Sequence, residues 1–179
     1  MRARHYRKLP FVLAAALAVL ACGDDIAGPH PPELDDLKAD LSQYQNLSTA
    51  QAAGWDTKIT PCWFATGAGG MGYHFGNTDL IDGTPSLDNP EAFMYEPQKD
   101  GSMKLVGLEY IVPISAWTGD GPPSLAGQTF MRMDDLGLYA LHIWLWKENP
   151  TGLYAPWNPD VSCENAEESE DMAAMSAKH

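Results

Sequence analysis

Three residues in this chain share a spacing that suits chemistry: Gly72-x-His74, Gly107-x-Glu109 and Ala140-x-His142. Each places a metal-competent side chain two positions after a very small residue. In a strand, residues two apart lie on one face, so the small neighbour leaves room beside the polar head. If the three strands face one interior, two imidazoles and a carboxylate line a shared cavity. That donor set suits one first-row metal ion, such as Zn, Fe, Cu or Mn, with positions left open for water or a small molecule. Glu96 and Tyr110 are candidates to support or extend such a site. Two plainer readings stand beside this one. The cavity can be a metal-free polar pocket for a small ligand, or the histidines can be structural, since a buried His hydrogen-bonded to a Glu needs no metal. Glycine is also common here, at 16 residues, so glycine two places before a given residue is weak evidence alone.

These residues need strands to hold them, and the chain supplies the runs. Tyr, Phe, Val, Ile and Trp cluster at 71–75 (MGYHF), 92–96 (AFMYE), 103–112 (MKLVGLEYIV) and 138–147 (LYALHIWLWK), with a weaker run at 128–133. QKDGS between two of them carries an Asp-Gly hairpin turn. On 103–112, Glu109 shares its face with Leu105, Gly107 and Ile111. The run 138–147 is apolar on both faces, which predicts a strand covered on both sides; Trp144 and Trp146 fall on the His142 face and read as core. Ahead of the strands, Leu34, Leu37, Leu41 and Tyr44 recur at helical spacing. The spacing predicts helix over most of 33–53, with Gly54 as its stop; Ser48 and Gln51 form a capping box that restarts it, or Asn46 to Thr49 simply continue it. Helix first and antiparallel strands after make an α+β domain: an N-terminal helix packed on a mainly antiparallel curled sheet or small β-barrel. KENPTGLYAPWNP then reads as a proline-pinned aromatic turn, a plug or a lid over a pocket mouth.

The ends differ in kind. Arg2, Arg4, Arg7 and Lys8 precede the apolar run FVLAAALAVLA, about half the roughly 20 residues a membrane-spanning helix needs. This describes a secretory signal at 1–21. VLAC, ending at Cys22, resembles the lipobox of bacterial lipoproteins, although Leu20 is an unusual residue at its position. The resemblance implies cleavage before Cys22, lipid on that cysteine, and residence in the cell envelope, with membrane contact only through the anchor. A Gly- and Pro-rich tether (22–33), one domain (34–163) and an acidic, disordered tail (164–179) would follow. Without residues 1–21, the chain carries 7 basic against 24 acidic residues, a formal −17. Such a surface repels nucleic acid and anionic lipid headgroups. Cys62 and Cys163 remain after Cys22. In an exported chain they read as a disulfide, with two buried free thiols as the alternative.

No Walker loop, G-x-S-x-G or H-E-x-x-H occurs, so classical hydrolase chemistry is not signalled. The blocks GMGYHFGN, EAFMYEP, LVGLEYIVP, LAGQTF and LHIWLWKENPTGLYAPWNP, with the two flanking cysteines, resemble a group of exported bacterial hypothetical proteins of unknown function. The likeness spans about residues 50–163 and implies export and one shared domain, but no activity. Two functions follow as expectations. One is a lipoprotein binding a metal ion or small molecule through His74, Glu109 and His142, with or without catalysis. The other is a non-catalytic envelope protein whose aromatic turn contacts a partner or glycan.

Overall fold

The computed structural model describes residues 31–172. The expected secretory signal, Cys22, most of the expected tether and the last seven residues of the chain lie outside the described residues. Within them, a short helical segment leads into a curled mixed sheet. Helix α1 (Pro32–Leu41) opens with proline in its first turn, where a missing N–H costs nothing, and buries Leu34, Leu37 and Leu41. A 3₁₀ turn (Ser42–Gln45) and a short helix α2 (Leu47–Ala52) follow. The helix expected over most of 33–53 is thus in three pieces. Asn46 causes the restart: its backbone is extended and its side chain accepts the Ser48 amide, so Asn46, rather than Ser48, is the N-cap. Gly54 turns the chain away at φ 111°.

The strands are β1 (Thr57–Ala65), β2 (Gly69–Gly76), β3 (Ala92–Pro97), β4 (Met103–Pro113), β5 (Ser124–Leu125), β6 (Gln128–Thr129), β7 (Met131–Met133), β8 (Leu138–Ile143) and β9 (Ser169–Asp171). Seven form one sheet in the order β7-β8-β4-β3-β2-β1-β9, antiparallel except for the β1–β9 pair; β5 and β6 make a small hairpin apart. The outer strands β7 and β9 are not paired with each other, so the sheet curls without closing. The Asp-Gly turn joins β3 to β4 as expected, with Gly101 at φ 82°.

Three features depart from the expected strands. β1 was not anticipated, because Pro61 interrupts its apolar run. Its register shifts between Thr60 and Trp63, and a bulge of this kind is where a strand tolerates proline. The acidic end, expected to be solvated from 164, instead returns to the sheet as β9. The Cys62–Cys163 disulfide brings the chain back alongside β1, and Cys62 N–H donates to Glu168 O. Finally, β8 ends at Ile143 rather than at 147. Beyond it the loop from 144 to 163 folds back and is pinned at several points. Trp144 donates its backbone N–H to Leu153 O and its indole N–H to Ala155 O; Asn158 exchanges backbone hydrogen bonds with Gly70; Ser162 N–H donates to Glu96.

The main core lies between the helices and one sheet face, where Leu34, Leu37, Trp55, Phe93, Tyr95, Leu108, Tyr110 and Ile143 pack together. A second cluster of Met94, Val106, Trp144 and Val161 lies apart from it. A bulge explains one sorting error. Met94 pairs with Gly107 but Tyr95 pairs with Leu105, leaving Val106 as the extra residue. Leu105 therefore joins the main core instead of sharing a face with Glu109, and Val106 takes its place.

Candidate metal centre

His74, Glu109 and His142 converge, and the register explains how. Across the sheet, Ala92 on β3 pairs with Glu109 on β4, which pairs with His142 on β8. Glu109 and His142 are thus direct cross-strand neighbours. His74 on β2 pairs with Met94, one row along. It is separated from β4 by the whole of β3, about 9.6 Å of sheet at two strand spacings. The long side chains close that distance across β3, where the short residue Ala92 pairs with Glu109 and Met94 with His74. His74 Nε2 lies 3.5 Å from one Glu109 oxygen and His142 Nε2 lies 3.4 Å from the other. One donor atom from each of the three falls within 4.8 Å of the others.

Both contacts are long for a hydrogen bond and poorly directed, the His142–Glu109 one coming nearer to it. Both Nε2 atoms are fully enclosed and without a hydrogen-bond partner. An orphaned buried nitrogen is costly and uncommon, and here two of them point at one carboxylate. The spacing has a simple meaning. Two donors on one ion, each bonded at about 2.1 Å and separated by a tetrahedral angle, stand about 3.4 Å apart. The observed 3.5 and 3.4 Å are close to that distance, although each runs to a different oxygen of the carboxylate.

Burial sets the protonation states. It pushes the His74 imidazole down from 6.5 to about 4, with Glu109 opposing and His142 assisting. It pushes the Glu109 carboxyl up, but the neighbouring His74 and His142 outweigh it and hold that group below its ordinary value. At neutral pH, His74 is an uncharged imidazole facing an ionised carboxylate. These are the forms that bind a metal.

Thr60 completes the surroundings of His74. Its hydroxyl lies 2.7 Å from His74 Nδ1 and accepts the His74 backbone N–H at 3.2 Å. A ring held at Nδ1 presents Nε2 toward the carboxylate. Thr60 was missed in the sequence because β1 was missed; the pairing of β1 with β2 is what puts it there. Glu91 was missed too. It sits at the head of β3, accepts the Ile111 amide at 3.0 Å, and is pushed by burial from 4.5 up to about 7.

The other candidates are engaged elsewhere. Glu96 pairs with Lys147 at 2.7 and 2.8 Å and anchors Ser162 of the long loop. Tyr110 packs in the main core and donates to Leu87 O. The hydrogen bonds of neither lead to the three residues, because one side chain serves the loop and the other lies in the main core. Trp144 does stay beside His142, with ring centres 6.3 Å apart, but Trp146 packs against the main core once the strand has ended.

The small residues that drew attention to the site also act differently than their spacing suggests. A side chain at Gly72 would strike the Tyr95 carbonyl, and its φ is 81°. Space at Gly107 is filled by Met94 and Trp144. Both glycines serve backbone approach and packing. No family model, curated protein or solved structure matches this chain.

Proposed function

We propose that this is an exported, lipid-anchored metalloprotein in which His74, Glu109 and His142 hold one first-row divalent ion. The observation that carries the reading is the pair of enclosed, unpartnered Nε2 atoms, each within 3.5 Å of the same carboxylate. Three protein ligands leave a tetrahedral ion one open position. That is the arrangement of reactive or ligand-binding centres rather than of closed structural ones. Side-chain exposure is 1% at His74, 3% at His142 and 11% at Glu109, so the carboxylate side is where the open position meets solvent.

Export rests on other support. The Cys62–Cys163 disulfide fits an oxidising compartment, and the basic head, apolar run and Cys22 fit a lipoprotein signal.

Elemental analysis of the purified protein tests the metal reading. One ion per chain is expected, and His142→Ala should reduce it at least tenfold while leaving the disulfide and the folded spectrum intact. Wild-type protein that stays metal-free after incubation with zinc, manganese, iron(II) and copper would leave the histidines structural.

A further inference from the structure

The charge and space around the three ligands restrict what the open position can accept. A divalent ion held by two neutral imidazoles and one carboxylate keeps a net charge of +1. The site is enclosed, and an uncompensated charge away from water is costly. Among the described residues one further buried carboxylate, Glu91, is near enough for its charge to be felt at Glu109, but burial pushes it up to about 7 and toward its neutral form. Glu96 is committed to Lys147 and Ser162, and Glu91 to the Ile111 amide. An anionic fourth ligand would supply the remaining compensating charge.

Space is restricted as well. Ala92 and Met94 are fully buried, and Ala140, Ile111 and Trp144 nearly so. The Trp63 ring stands 6.0 Å from His74 and the Trp144 ring 6.3 Å from His142. A side chain at Gly107, beside Glu109 on β4, would meet Met94 at 2.5 Å, so that corner is already full. Two surface grooves run elsewhere. One is lined by Phe64, Pro159 and Val161, the other by Leu47, Gln51 and Met103.

We infer that the open position binds a small monoanion, hydroxide included, and excludes organic carboxylates of aromatic size. This deepens the metal reading and rests on it.

Cobalt(II) separates the two questions, because its visible spectrum reports ligand number and exchange. The full chain is loaded with one equivalent of cobalt and titrated with sodium azide, then with sodium benzoate, at constant ionic strength. Azide should shift the intense four-coordinate bands saturably, with one azide per cobalt, and benzoate should bind at least a hundredfold more weakly. A spectrum indifferent to azide, or equal responses to azide and benzoate, overturns the inference and leaves the metal site standing. Failure of cobalt to bind, with no visible bands in wild type or a spectrum unchanged in His142→Ala, overturns both.

Discussion

At the residue scale, the site depends on keeping buried groups in the form that burial prefers. His74 and Glu91 pull stability in opposite directions. A histidine lowered from 6.5 to about 4 binds its proton more readily when unfolded. Its contribution is complete above pH 6.5 and is lost as pH falls toward 4. Glu91, raised from 4.5 to about 7, binds its proton more readily when folded. Its contribution is complete below pH 4.5 and is lost as pH rises toward 7. At about 1.4 kcal/mol per unit, each is worth about 3 kcal/mol, and they offset each other over the shared interval. Metal-free wild type should therefore show a shallow stability profile between pH 4.5 and 6.5. In Glu91→Gln the opposing slope is removed. Urea denaturation of that variant should show stability falling by about 3 kcal/mol from pH 7 to pH 4.5. A variant profile parallel to wild type would mean that Glu91 does not titrate in this range.

At the scale of elements, Ala92 is the short, buried β3 residue paired with Glu109, and whether its size is what lets the three side chains meet can be tested directly. Ala92→Leu should fill the space over which His74 reaches Glu109. Overpacking of this kind costs about 1 to 3 kcal/mol, and bound metal should fall well below one ion per chain. Ala50, buried in α2 on the helix side of the main core, provides the control. Ala50→Leu should cost a similar amount in thermal unfolding yet retain the metal. Equal metal content in both variants would detach Ala92 from the site.

The same elements show why part of the fold was readable and part was not. His74, Glu109 and His142 were legible because period-two alternation survives through β2, the end of β4 and β8. Leu105 was misplaced because a bulge at Val106 shifts the alternation, and nothing in MKLVGLEYIV marks it. Thr60 was invisible because Pro61 hides β1, and β9 because its pairing depends on a disulfide that returns the chain across a separation of 101 residues. Local pattern carries strand identity and facing. Register shifts and long-range returns are set by partners that no single run contains.

At the scale of the molecule, the metal would tie β2, β4 and β8 through one centre, so binding should stabilise the whole sheet. A ligand that binds only the folded state at a free concentration a thousand times its dissociation constant adds about 4 kcal/mol. For a domain of this size, each kcal/mol raises the midpoint by about 2 to 4 °C. Saturating zinc should thus raise Tm by roughly 8 to 16 °C over chelator-treated protein. The net charge of −13 complicates a simple comparison. A strongly negative protein gathers divalent cations at its surface, and diffuse screening alone relieves some repulsion. Two controls separate the effects. Magnesium at equal ionic strength reproduces the screening but is a poor partner for two imidazoles, and His142→Ala removes one ligand without altering surface charge. Differential scanning calorimetry should show the large shift for wild type with zinc and only the small common shift in the other combinations. Equal shifts for zinc and magnesium in wild type would reduce the effect to charge screening, and the three side chains would then be a buried polar cluster that no ion joins.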